Sequence, residues 1–448
     1  MTAKPATVAT PLFCLSVLFG SVSSGAEPLV DGDWPQFRGP DGQGHASAKN
    51  LPVRWSETEN ISWKVRIPGS GFSSPIIVGA RIWMTTALDG GKSLRAVAVD
   101  SVSGEIVHQP ELFRVENPGR PHAKNSHATP TPVADAERIY VHFGTHGTAA
   151  LSKDGEVVWK NSSLAHHQPY APASSPIVYE NTMIVNCDGT DHQFVVALDR
   201  RSGKSVWKTR RGHLDDARKS PRARSFPEEG FMLMAYATPA VIDVGGVPEL
   251  VSPAAEHVAA YDARTGKELW WLGYRGFSVV GVPVHAHGLV FVQGFAGIGK
   301  PTLYAIRPGG RGDISRTHLA WKHPTRAPHV PSYLIVGDEL YLVGDNGIMT
   351  CVDARTGAEH WKERLGGGHS ASPIDADGKI YVCGEKGTTT VLAPGREFRK
   401  LATNQLDGRL MASPCASGDA LYLRTDTHLY RIERRQSTRE ARLPRVRR

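Results

Sequence analysis

Asp262-Ala-Arg-Thr-Gly266-Lys-Glu-Leu-Trp270 and Asp353-Ala-Arg-Thr-Gly357-Ala-Glu-His-Trp361 are two copies of one unit within a 448-residue chain. A looser copy is Asp199-Arg-Arg-Ser-Gly203-Lys-Ser-Val-Trp207. A shortened copy is Lys153-Asp-Gly155-Glu-Val-Val-Trp159, and Asp100-Ser-Val-Ser-Gly104-Glu-Ile-Val ends on His108 in place of the tryptophan. The unit has a physical reading. Asp bonds its own backbone and starts a turn. Gly supplies the positive φ that a tight hairpin demands. Alternating residues then resume a strand, and the Trp at its end covers a large apolar area against a neighbour. Trp63, Trp159, Trp207, Trp270, Trp321 and Trp361, with Gly203, Gly266 and Gly357, are therefore expected to dock one unit on the next.

A second marker opens each unit: Ser74-Pro75, Thr129-Pro130, Ser175-Pro176, Thr238-Pro239, Val282-Pro283, Ser332-Tyr333, Ser372-Pro373 and Ser413-Pro414. An apolar strand, a short turn and a second strand follow each. The second strands read Arg81-Ile-Trp-Met, Arg138-Ile-Tyr-Val, Glu339-Leu-Tyr-Leu, Lys379-Ile-Tyr-Val and Ala420-Leu-Tyr-Leu. A third strand leads into the turn, and the Trp strand is the fourth. Eight openings predict eight four-stranded units. The last, Met411 to Ile432, lacks a Trp strand, and Asn60-Ile-Ser-Trp63-Lys-Val-Arg-Ile67 near the other terminus supplies one. The expected fold is an all-β, eight-bladed propeller of antiparallel four-stranded blades, closed by that N-terminal strand. A parallel solenoid would not need the Trp63 strand, and no stretch holds the 3.6-residue periodicity of a helical array.

The ends and the charge divide the chain further. Lys4, the apolar run Leu12–Val22 and Ser24-Gly25-Ala26 predict a cleaved signal peptide over 1–26, hence a secreted or periplasmic protein. An entry segment spans 27–60, the propeller 61–433 and a basic disordered tail 434–448. Most of the net charge of +8 sits in the last eighteen residues, with eight Arg and two Glu. The main body is near neutral, which argues against a nucleic-acid surface. The tail is read as a solvated end, with weak contact to an anionic surface as the alternative. Cys14 lies in the apolar run. Cys187, Cys351, Cys383 and Cys415 are scattered, with no CxxC and no CxxCH, which excludes a zinc ribbon and c-type haem attachment. Either a Cys383–Cys415 disulfide or buried free thiols fit that spacing.

The repeats resemble the pyrroloquinoline-quinone (PQQ)-type propeller repeat, whose family includes quinoprotein alcohol dehydrogenases and the BamB-type outer-membrane assembly lipoprotein. Asp33-Trp-Pro-Gln-Phe-Arg-Gly-Pro40, His122-Ala-Lys-Asn125-Ser-His127, His142-Phe-Gly-Thr-His146, Cys187-Asp-Gly-Thr-Asp191 and Ile306-Arg-Pro-Gly-Gly-Arg311-Gly-Asp313 are similar to segments of secreted, BamB-like propellers of planctomycete-type bacteria. A quinoprotein dehydrogenase grips its quinone between a Trp and a disulfide of adjacent cysteines, with a calcium or lanthanide ion and a catalytic Asp. No two cysteines here are adjacent, and Cys14 is not set in a lipidation signal. The resemblance thus implies the fold more than the chemistry.

Seven of the 19 histidines fall between His122 and His192. His122, Asn125, His127, His142, His146, His167, Asp188 and Asp191 are the candidate ligand-binding residues at the channel mouth. They are read first as loop contacts and channel lining, then as a small-molecule or glycan pocket, and last as a metal centre. His142 and His146 lack the helical setting of HExxH, and adjacent His166-His167 on an extended segment would point to opposite sides. The loop Arg210–Met234 holds a basic cluster, Arg311-Gly312-Asp313 is read as a plain turn, and the glycines of Gly294–Gly299 precede no helix. No catalytic residue is assigned, and neither a metal nor a cofactor is expected. The leading expectation is a non-catalytic scaffold of the cell envelope that binds a protein or envelope polymer. The alternative is an enzyme at the channel mouth, in particular a PQQ- and calcium-dependent oxidoreductase.

Overall fold

Short strands build eight sheets around one axis: the second and third strands of the blades are buried on both faces, and outer strands such as Ile61–Arg66 and Ser205–Arg210 alternate. The computed structural model describes residues 29, 32–214, 228, 230–294, 301–323 and 328–434. The expected signal peptide at 1–26 with Cys14, the basic cluster 215–227, the glycines at 295–299 and the tail 435–448 lie outside the described residues. Blades 1 to 7 follow chain order, each starting with an inner strand: Ile76–Val78, Val133–Ala134, Ile177–Tyr179, Ala240–Val244, Val284–Ala286, Leu334–Val336 and Ile374–Ala376. Blade 8 comprises Cys415–Ser417, Ala420–Arg424 and His428–Glu433, and its outer strand is Ile61–Arg66. Trp63 pairs with Arg431 and Lys64 with Tyr430 in an antiparallel ladder. The ring is therefore closed by backbone hydrogen bonds between the two ends of the propeller, as the repeat arithmetic predicts.

The turn-and-tryptophan unit works between blades. Trp159 of blade 2 lies over Gly203 of blade 3, where an added Cβ would come 2.5 Å from the indole. Its Nε1–H donates to the Arg200 carbonyl of the same turn at 3.0 Å. Trp63 does likewise to Gly104 and Ser101, Trp207 to Gly266 and Ala263, and Trp321 to Gly357 and Ala354. His108 takes the place of the tryptophan over Gly155. Trp361 donates to the Gly395 carbonyl of blade 7. Trp270 departs from the pattern: its N–H donates at 2.7 Å to Glu249 of its own blade, and it is fully buried. The cause is the insertion in blade 5. Gly312–Asp313 forms a short parallel strand beside Trp270–Trp271, so Arg311-Gly312-Asp313 is an added sheet edge rather than the plain turn expected.

The opening markers form a second ring, around the channel. Each backbone N–H donates to the hydroxyl of the next blade's marker: Ser74 to Thr131, Thr131 to Ser175, Ser175 to Thr238, Val282 to Ser332, Ser332 to Ser372, Ser372 to Ser413 and Ser413 back to Ser74, at 2.9–3.1 Å. Val282 has no hydroxyl, and there the relay is interrupted. In blade 2 the marker is Thr131-Pro132, not Thr129-Pro130. Thr129 sits two residues earlier and bonds Ser126 instead.

The segment 32–60 spans one mouth of the channel. Trp34 bridges Ile77 of blade 1, and Pro35 accepts the N–H of Ala134 in blade 2. Gln43 accepts from His285 of blade 5, and His45–Ala46 adds a parallel strand to blade 7. Arg38 is buried, with its guanidinium on the carbonyls of Gln43, Tyr333 and Pro373. Burial lowers its pKa to about 10. The four described cysteines are buried free thiols, so Cys383 and Cys415 are not bonded.

Candidate functional site

The opposite mouth is built by the connections between blades. Residues 116–127 link blades 1 and 2, and Lys124 reaches across to Asp345 of blade 6 and Glu385 of blade 7, both at 3.1 Å. Burial opposes the Lys124 charge, but the two carboxylates outweigh it and its pKa is raised. Burial would raise the pKa of Glu385, yet its bonds from Ser370 and Lys124 hold it below the usual carboxylate range. Asp345 also accepts the N–H groups of His329 and Val330. The strap is thus a neutralised, cross-braced charge rather than a free cation.

Beside Lys124 opens a cavity of about 200 Å³, lined by His122, Asn125, Tyr170, Tyr236, Val280 and Val330 among others. One wall is aromatic and continues inward: His122 on Tyr170, Tyr170 edge-on to Phe231, and Phe231 edge-on to Phe277. Met232, Leu233 and Met234 pack behind it. Asn125 fixes the rim by donating to the Tyr170 and Ala171 carbonyls at 2.8 and 2.9 Å. Below, a narrower space of about 80 Å³ follows the hydroxyl ring down to Phe37, which stands in the mouth covered by 32–60. Among the described residues no tryptophan lines either space.

Of the eight candidates, His122 and Asn125 line this mouth. His127 bonds the Gly119 carbonyl and packs against Gly91. Burial lowers the pKa of His146, away from the cavity. His167 is exposed and lies 3.3 Å from Glu228. Asp191 caps a turn by accepting the N–H groups of His167 and His192. Asp188 is buried and accepts two bonds from Arg211, which also donates to Ser252. His142 is buried with its ring parallel to that of His166. The candidates therefore separate into a rim, a surface turn and a buried group between blades 2 and 3, and do not form one channel-mouth cluster. The reading missed Lys124, Tyr170, Tyr236 and His329. Lys124 stood inside the quoted His122–His127 segment. The others come from distant blades, and only closure of the ring brings them together.

Comparison with known proteins agrees with this architecture. The family model described as outer membrane protein assembly factor BamB matches residues 45–209 and 191–440. The chain belongs to this BamB family. Outer membrane protein assembly factor BamB of Burkholderia pseudomallei (strain K96243) is 30% identical over 95 residues, which is 21% of this chain and 24% of that protein. The chain thus spans about a quarter of the length of the curated relative it matches. BamB from Moraxella catarrhalis superposes with a TM-score of 0.58 at 13% identity, covering 84% of this chain and 98% of that one. A europium-containing methanol dehydrogenase superposes with a TM-score of 0.55 at 12% identity, covering 88% and 89%. At such identities these two share the fold alone. Among the described residues no helix is long and apolar enough to cross a membrane.

Proposed function

We propose that this BamB-family propeller is a non-catalytic, protein-binding scaffold of the cell envelope, and that its partner docks on the Lys124 mouth. The observation that carries the reading is the composition of that mouth. Tyr170, Tyr236, Val280 and Val330 give an apolar and aromatic floor, with His122, Asn125 and His329 around it. Aromatic residues with a polar rim are what protein interfaces enrich. The strap charge is already matched by Asp345 and Glu385, so the mouth does not select for an anion. The relatives' description as assembly factors supports an envelope location and a protein partner.

A quinone fits this chain poorly. Its four described cysteines are buried and unpaired, and the channel is lined by hydroxyls, Phe37, Phe72, Lys124 and Met411, with no tryptophan face. These facts support the scaffold over the oxidoreductase.

The test places a photo-crosslinking side chain at Val330 and, as a control, at Val102, which is 73% exposed outside this mouth. In native envelope, a discrete protein adduct at Val330, lost in Tyr236→Ala, is the expected result. Equal labelling at both positions would remove the docking site. A saturable chromophore with dye reduction on adding PQQ and calcium would replace the scaffold by an enzyme.

A further inference from the structure

His142, His166 and Cys187 meet where blades 2 and 3 pack. His142 ends the strand Arg138–His142, Cys187 lies in the strand Thr182–Asp188, and His166 comes from the connection between these blades. Their side chains are 1%, 2% and 0% exposed. A ring nitrogen of each histidine and the Cys187 sulfur all lie within 4.8 Å of one another. From three different segments, these donors converge in a core otherwise made of Tyr140, Trp159, Leu164, Met183 and Phe194.

Three features set this group apart from an ordinary buried polar contact. First, each imidazole is anchored by one nitrogen: His142 Nδ1 to Thr148 Oγ1 at 2.8 Å, and His166 Nδ1 to the Leu164 carbonyl at 2.7 Å. A hydrogen bond of this kind fixes the orientation of a metal-ligating imidazole, and the Gln168 side chain, which also hydrogen-bonds His166, would yield its place to the ion. Second, His142 does not do the work of its position. Four of the equivalent side chains, Thr85, Asn186, Gln293 and Arg424, reach carbonyls of the next blade's lead-in segment, at Ala128, Ala237, His329 and Ser73, whereas Cys383 of blade 7 bonds Thr389 within its own blade. His142 likewise bonds sideways within its own blade. Third, the adjacent Asp188 is taken up by Arg211, so the donor set is two imidazoles and a thiol with no carboxylate.

We propose that His142, His166 and Cys187 form a transition-metal site whose natural occupant is Zn²⁺. Two imidazoles and one thiolate are a borderline-soft set suited to this ion. Metal–ligand lengths of about 2.1 and 2.3 Å place such donors roughly 3.4–3.8 Å apart, within reach of small side-chain rotations from 4.8 Å. Binding replaces the S–H bond by a Zn–S bond and releases one proton to solvent. Three protein donors leave one position for a water or small ligand. The site lies away from the Lys124 mouth and does not depend on the docking reading.

The full chain, stripped with a chelator, is titrated with Co²⁺ as a spectroscopic stand-in and then with Zn²⁺. One equivalent of Co²⁺ with a sulfur-to-cobalt charge-transfer band, displaced by Zn²⁺, is expected. Cys187→Ser removes that band, and His142→Gln or His166→Gln weakens binding about 10–100-fold. His127→Gln and His167→Gln leave it unchanged. Zn²⁺ also raises the melting temperature of the wild type and not of Cys187→Ser, a comparison that holds if the variants fold less well. Binding below a fifth of an equivalent, or a cobalt spectrum that Cys187→Ser does not alter, overturns the site.

Discussion

Gly203 is held at φ +70° directly beneath the indole of Trp159. A Cβ there meets both a left-handed backbone and a ring 2.5 Å away, so Gly203→Ala is expected to cost about 2–4 kcal/mol in denaturant unfolding. Gly418 has a similar φ of +61° with nothing within 4 Å, and Gly418→Ala should cost only about 1 kcal/mol. The gap between the two measures the blade-docking contact. Histidine burial sets the acid limb. His257 is fully buried, with Nδ1 on the Ala255 carbonyl, and burial followed by the nearby Arg211 charge lowers its pKa to about 3. Between about 6.5 and 3 the unfolded chain holds a proton that the native chain refuses, so stability falls as pH drops through that window. At pH 4.5 the loss from this residue is about 2–3 kcal/mol relative to pH 7. His257→Gln should flatten the urea-midpoint profile by that amount. An unchanged profile would mean the proton is taken up elsewhere.

Two N-terminal elements close the molecule, one around the ring and one across its mouth. Strand Ile61–Arg66 covers the edge of His428–Glu433, an edge otherwise open to pairing with other chains. A chain starting at Ile67 is expected to lose its cooperative thermal transition and to elute as aggregate in size-exclusion chromatography. A monomer with a sharp transition would show that seven and three-quarter blades suffice. The segment before this strand is pinned by Arg38, whose planar guanidinium matches carbonyls of three separate segments. A lysine ammonium cannot span them, so Arg38→Lys should cost about 1–3 kcal/mol and speed proteolysis within 32–60. Both elements were marked in the sequence, by Trp63 and by Asp33–Pro40. Only the first could be given a role there, because strand arithmetic has a missing member and a plug does not.

The hydroxyl relay is a property of the whole ring, since each bond joins one blade to the next. Ser372→Val leaves the Ser332 N–H without its acceptor and should destabilise by about 1–3 kcal/mol. Val282→Thr supplies the missing hydroxyl at nearly constant volume and should stabilise by about 0.5–1 kcal/mol. Calorimetry of the two variants should move the melting temperature in opposite directions. The same shift in both would mean the hydroxyls serve packing alone. The Ser/Thr-Pro markers were legible as strand openings, but their joining into a circuit was not, because it links residues about 40 or more positions apart. The misplacement at Thr129 has the same origin: Thr129-Pro130-Thr131-Pro132 offers two markers, and only the acceptor on Ser175 chooses between them.

By itself the sequence determined the repeat, the number of blades and the strand that closes them. Those follow from local chemistry: turn residues at fixed offsets, alternating apolar strands and a ring-bearing side chain after each glycine. Tertiary structure alone decided which histidines meet. His122 and His127 are five residues apart, yet one lines the mouth and the other packs behind it. His142 and Cys187 are far apart in the chain and converge across a blade interface. A propeller brings distant loops to one axis and sends neighbouring side chains to opposite faces of a strand, so sequence proximity is a poor guide to shared sites on this fold.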